Sequence, residues 1–155
     1  MSAFVISPKP SRMASDTQLD TFVDVVGTAT DPDDRDDALA TTSVDIVVVD
    51  MALPPAAATT AIRDAAEGDS LGVLAVTTSP LQQVVVSRAL GAGAHACITR
   101  RTIAEHGSAP FEAAAQRRPF LPADELREAL VAATQDDLTA SERESRLRNL
   151  VLGLI

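Results

Sequence analysis

Four short apolar runs in this 155-residue chain lead into residues able to do polar chemistry. FVIS from Phe4 runs into Ser7-Pro8-Lys9, DIVVVD ends on Asp50, GVLAVTT closes with Thr77-Thr78, and ACIT from Ala96 meets Arg100. A carboxylate offers anionic oxygens, threonine hydroxyls can hold an anion, and a guanidinium can bridge a carboxylate through two parallel hydrogen bonds. Those types suit a pocket that holds a charged group, with Asp50 at its centre. The plainer alternatives are a strand-end carboxylate that only caps or pairs and threonines present for β propensity.

Other polar features carry less chemistry. His95 and His106 lack a second histidine or cysteine at metal-ligand spacing, so both are expected at turns or on the surface. The acidic run DPDDRDD from Asp31 lacks the glycine and terminal glutamate of a calcium loop and reads as a solvated helix start. Neither a GxxxxGK[ST] phosphate loop nor a GxSxG elbow is present. The single cysteine, Cys97, allows no internal disulfide, and its flanks HACIT place it in a buried strand.

The elements that would position these residues are five strands. Near-continuous apolar character over Phe4–Ser7, Asp45–Asp50 and Gly72–Thr78 suits strands covered on both faces, and Val23–Thr28 and Ala96–Thr99 are weaker candidates. Between them lie helix-compatible stretches. Asp31-Pro32 and Ser79-Pro80 each put a capping oxygen before a proline, and Gly91 or Gly93 can close the helix that Ser79 opens. Leu81, Val84, Val85 and Leu90 are expected on one face of that helix. Pro55–Ala66 also reads as helix, whereas Pro10–Asp20 is poorly patterned. Strands alternating with helices predict βαβ units, a parallel sheet, and ligands at the carboxyl ends of the strands.

From Pro119 the pattern changes to PFLP followed by ADELREALVAAT, a linker helix with Leu126, Ala129, Leu130 and Ala133 on one stripe. In LTASERESRLRNLVLGLI, Thr139 and Glu142 form a capping box, and Leu147, Leu150, Val151 and Leu154 repeat at helical spacing. That uncovered stripe is expected to meet a partner, or to belong to a longer natural chain.

In these residues the sequence resembles the receiver domain of two-component response regulators over about residues 3 to 118. The resemblance implies a five-stranded doubly wound sheet of order 2-1-3-4-5, as in flavodoxin. It also implies that the aspartate ending strand 3 accepts a phosphoryl group, that a hydroxyl ending strand 4 contacts it, and that a lysine ending strand 5 pairs with it. Asp50, Thr77 and Arg100 stand at those positions. The GAGA turn before strand 5, the FLP segment and LTASERE are also similar to the NarL/FixJ subfamily, in which that last motif opens a LuxR-type DNA-binding helix-turn-helix. The expected division is a receiver-like domain over 1–118, a linker helix over 119–136, and the first helix of a helix-turn-helix over 137–155.

Three departures bear on function. A working receiver needs paired acids after strand 1, because Mg²⁺ takes oxygen ligands in near-octahedral array and offsets charge during phosphoryl transfer. Ser7 and Pro8 stand there, with cationic Lys9 beside them, so Mg²⁺ binding is expected to be weak or absent. Arg100 replaces the lysine and is expected, with Lys9, to clamp Asp50 in a metal-free salt bridge. Cys97 stands where the family often carries an aromatic switch residue.

The expected role is therefore regulatory rather than enzymatic. The resemblance implies an atypical receiver that controls DNA binding through homodimerisation, by the face of the fourth and fifth helices or by the helices beyond Pro119. A phosphorelay from a histidine kinase to Asp50 and small-molecule sensing at the strand ends are the alternatives. The formal charge of -9 leaves DNA contact to a further domain. Without a signal peptide or a long apolar run, no membrane role and a cytoplasmic location are expected.

Overall fold

The structure, a computed structural model, describes residues 1–32, 43–68, 71–77 and 82–121. Five parallel strands form one sheet: β1 (Ser2–Ile6), β2 (Asp24–Ala29), β3 (Ile46–Asp50), β4 (Gly72–Thr77) and β5 (Ala96–Thr99), in the order β2-β1-β3-β4-β5. This is the doubly wound order expected from the sequence, with boundaries within two residues of the predicted ones. Around the sheet lie α1 (Pro10–Thr17), α2 (Pro55–Arg63), α3 (Gln83–Ala92), α4 (Arg100–His106) and α5 (Ala109–Ala115).

Alternation along the strands divides the core into two layers, because successive strand side chains point to opposite faces. Phe4, Ile6, Val47, Val49, Val73, Ala75 and Cys97 face one way and pack with Ala58, Ile62, Val86 and Ala89 of α2 and α3. Ala3, Val5, Ile46, Val48, Leu74, Val76 and Ile98 face the other and meet Met13, Leu19, Ile103, Phe111 and Ala114. Both sheet faces are therefore covered, and every residue of β3 and β4 is buried. Cys97 is fully buried in its strand, as its flanks predicted.

The helices depart from the sequence reading in detail. The helix that Ser79 was expected to open begins at Gln83, after an extended Gln82 at its N-cap. It buries Val86, Ala89 and Ala92, while Val84 is 58% exposed and Val85 and Leu90 are half-buried. Packing of Val86 and Ala89 against the sheet leaves Val84 pointing to solvent. Leu81 lies outside the described residues. Gly93 closes α3 at φ 119, a left-handed conformation that suits glycine. The poorly patterned segment after Pro10 is a helix that buries Met13, and Leu19 is buried in the 3-10 turn beyond it. Past Arg63 the α2 helix continues as a π turn over Asp64–Gly68.

Beyond α5 the chain does not leave the sheet at once. The Cys97 amide donates to Phe120 O (3.1 Å), and the Phe120 amide donates to His95 O (3.1 Å), so Phe120 bridges the free edge of β5. The linker-helix stripe, the capping box at Thr139 and Glu142, and the proposed partner stripe Leu147, Leu150, Val151 and Leu154 all lie outside the described residues.

His95 ties this end of the sheet together. Its Nδ1 accepts the Val73 amide (3.1 Å) and its own amide donates to Val73 O (3.0 Å), so the ring must be neutral at Nδ1. Burial first, and then the Arg117 guanidinium, hold the imidazole below its ordinary pKa. As pH falls, the unfolded chain takes up this proton before the folded one, so stability is lost through the ordinary histidine range and levels off below the folded value. The melting temperature should therefore drop between about pH 7.5 and about pH 5.5. Replacing His95 by glutamine should flatten that part of the profile; an unchanged slope would show that other groups set it.

Candidate functional site

Parallel strands place all their carboxyl ends on one edge, which is how residues far apart in sequence meet here. Ile6 pairs with Val49, so Ser7 emerges next to Asp50, and Asp50 pairs with Val76, one residue before Thr77. Thr77 in turn pairs with Thr99, immediately before Arg100. β5 ends at Thr99 and α4 starts at the next residue, which leaves Arg100 on the first turn of a helix, its guanidinium reaching Asp50 across the strand ends.

Asp50 is the buried centre, at 2% exposure. Ser7 Oγ donates to its Oδ2 at 2.7 Å, Arg100 Nη2 donates to the same oxygen at 3.3 Å, and the Ala52 amide donates to Oδ1 at 2.9 Å. The Ser7 hydroxyl is itself oriented, since its oxygen accepts the Lys9 amide at 3.2 Å. Every bond to the carboxylate thus comes from a donor, and one of the donors is cationic. Burying a carboxylate is tolerated only when it is paired in this way.

Two sequence expectations are corrected by this geometry. Arg100 meets Asp50 through a single nitrogen rather than a two-pronged bridge. The second side chain bonded to Asp50 is Ser7 rather than Lys9, whose backbone amide donates to the Ser7 hydroxyl. Ser7 had been weighed only as a missing acid, whereas one carbon and one oxygen suffice to reach Asp50 directly.

Above the carboxylate opens a cavity of about 320 Å³ lined by Pro8, Lys9, Arg12, Met13, Asp50, Ala52 and Arg100. Of the expected pocket residues, Asp50, Pro8, Lys9 and Arg100 line it, and Ser7 lies buried beneath. Thr77 is 6% exposed and packed at its strand end, and Thr78 lies outside the described residues. Cys97 is buried one strand away. Arg12 was missed in the sequence. Its signal was the spacing from Lys9, since residues three apart share a helix face and Lys9 accepts the first α1 bond, from the Met13 amide at 3.0 Å.

The donor set does not fit a Mg²⁺ site. Such an ion needs several oxygen ligands, two of them normally carboxylates, yet the lining offers one carboxylate whose oxygens already accept from nitrogen and hydroxyl donors. Three cationic side chains surround it. Among the described residues no three His, Cys, Asp or Glu side chains gather to hold a metal.

With this geometry in view, solved structures give the context. Over 99% of this chain and 91% of the other, it is similar to the Salmonella typhimurium RcsB response regulator, with a TM-score of 0.65 and 13% identity. A LuxR-family two-component response regulator from Aurantimonas sp. SI85-9A1 matches 86% of this chain and 97% of its own, with a TM-score of 0.70 and 21% identity. The fold is that of response-regulator receiver domains. The signal receiver domain of the putative response regulator NarL from Mycobacterium tuberculosis agrees, over 76% of this chain and 97% of its own, with a TM-score of 0.58 and 19% identity. No family model matches the sequence. No curated protein matches it either. Among the described residues no helix is long and apolar enough to cross a membrane.

Proposed function

We propose that this chain is an atypical receiver module that regulates a LuxR-type transcription factor without Mg²⁺-dependent aspartyl phosphorylation. The observation that carries the reading is the 2.7 Å bond from Ser7 Oγ to Asp50 Oδ2, made where a metal-binding acid would otherwise stand. Phosphoryl transfer to a carboxylate relies on positioning and on offsetting negative charge. Here the offset is built in as Arg100, and the oxygen that would attack is held by two donors. Asp50 then serves as the anchor of a settled switch, and the module is regulatory rather than catalytic.

Its output would be DNA binding through a C-terminal helix-turn-helix, coupled by homodimerisation in the cytoplasm. RcsB, one of the similar proteins, is known in complex with DNA. Val84, a large apolar side chain 58% exposed on α3, supports a dimer face there. Incubating the purified chain with acetyl phosphate and Mg²⁺ should add no phosphoryl mass and should leave its sedimentation unchanged. A gain of one phosphoryl group, lost in Asp50→Asn, would instead establish the phosphorelay reading, with a histidine kinase as partner.

A further inference from the structure

α4 is short, yet three of its residues each hold a different part of the molecule. Arg100, Ile103 and His106 are spaced by three, so they share one stripe of the helix. At the amino end Arg100 Nη2 donates to Asp50 Oδ2 at 3.3 Å. In the middle Ile103 is fully buried in the core layer of Phe111 and Ala114. At the carboxyl end the His106 ring meets the Phe120 ring edge to face, with 5.5 Å between centroids and 76° between planes. Seven residues at about 1.5 Å each make α4 about 10 Å long, so one rigid element joins the buried carboxylate to Phe120.

The position of Phe120 gives that connection a consequence. Residues 119–121 lie along β5 like a short sixth strand, with Phe120 packed on one core layer and Leu121 on the other, as alternate residues of a strand are. Two backbone hydrogen bonds fasten the segment: the Phe120 amide donates to His95 O and the Cys97 amide donates to Phe120 O, both at 3.1 Å. Phe120 and Leu121 are half-buried, so this clasp belongs to the class of segments that open locally before the whole fold does. We propose that α4 acts as a lever between the Asp50 site and this clasp. With Arg100 drawn to Asp50, His106 is pressed against Phe120 and residues 119–121 stay on the β5 edge; loss of that pull lets the segment lift. The clasp is where the chain passes on to residues 122–155, so its opening hands a change at the site to them. Ile103 and Phe120 lie in the core layer opposite the one that holds Cys97, so the route needs no aromatic residue at that position.

The lever rests on the settled-switch reading of Asp50 and Arg100. Amide hydrogen exchange of the full 155-residue chain tests it, with the Phe120 and Cys97 amides reporting the clasp and the amides of β3, central in the sheet, reporting global opening. Arg100→Ala, and Asp50→Asn, which removes the charge that draws Arg100, should each speed exchange at Phe120 and Cys97 about tenfold relative to β3. His106→Ala, at an exposed position, should do the same without touching the carboxylate. Ile62→Val, a core change in α2 away from both ends of α4, should leave the ratio of clasp to β3 exchange as it is in the parent. Should Arg100→Ala not fold, Asp50→Asn and His106→Ala decide the matter. An unchanged ratio in either of those two variants, or an equal rise in Ile62→Val, overturns the lever. The proposed function falls to a different result, phosphoryl mass gained from acetyl phosphate with Mg²⁺.

Discussion

Adding one methyl group at Gly72 is expected to destabilise this fold by about 3 kcal/mol or more, the upper range for overpacking a core. Gly72 opens β4 directly beneath the last turn of α5, and a Cβ there would lie 1.9 Å from Ala114 O and 2.6 Å from Ala114 C. These are backbone atoms of a helix whose Phe111 and Ala114 are fully buried, so they cannot swing aside as a side-chain tip could. Relief requires α5 to lift from the sheet, which would also disturb the Phe120 bridge that follows it. Gly72→Ala should therefore lower the melting temperature by about 10 °C, by the usual scaling for domains of this size. The counterpart is Gly91→Ala. Gly91 lies within α3 with nothing within 4 Å of the added Cβ, so alanine should stabilise the chain by about 0.5–1 kcal/mol through helix propensity. If both substitutions shift the melting temperature alike, steric contact at Gly72 is not what the glycine serves.

The second large effect concerns Arg100. Removing its side chain leaves the 2%-exposed Asp50 carboxylate with only neutral donors. Breaking a fully buried ion pair costs about 3–5 kcal/mol, because the remaining charge stays desolvated. Arg100 keeps 28% of its side chain exposed and touches Asp50 at one point, which reduces the expected loss to about 2 kcal/mol. Arg100→Ala should thus melt several degrees below the parent. Asp50→Asn in the same background should recover much of the difference, since the amide carries no charge to strand, its single oxygen can still accept from the Ala52 amide, and its NH2 group can donate to the Ser7 hydroxyl. The coupling between the two positions should reach at least about 1 kcal/mol in a double-mutant cycle followed by urea unfolding. An unchanged melting temperature in Arg100→Ala would remove the settled-switch account of Asp50.

Much of the sheet was legible because its strands are short, β-branched and buried on both faces, so apolar continuity marked them without help from tertiary context. Asp45–Asp50 and Ala96–Thr99 were read within a residue of their observed limits. The helices were less legible. Their apolar residues are small and numerous, so several faces looked plausible, and packing against the sheet decided which one turned inward. Leu, Val and Ala of α3 are nearly interchangeable in a sequence pattern, and only packing against Val73 and Cys97 of the sheet separated Val86 from Val84.

The site divides in the same way. From the sequence alone came the identity of the residues at the strand ends: Asp50 as the central carboxylate, Ser7 and Pro8 in place of acids, and Arg100 as its cation. Their places follow from the strand ends, a local property of the chain, and that Ser7 and Pro8 stand in place of acids is what the resemblance to receiver domains implies. Tertiary structure decided how they are joined. It brought Ser7 rather than Lys9 onto Oδ2, limited Arg100 to one nitrogen, and turned Arg12 toward the same cavity. Such distances depend on strand register and on the angle at which α1 and α4 leave the sheet. Those are set by contacts among residues more than forty positions apart, which no local pattern encodes.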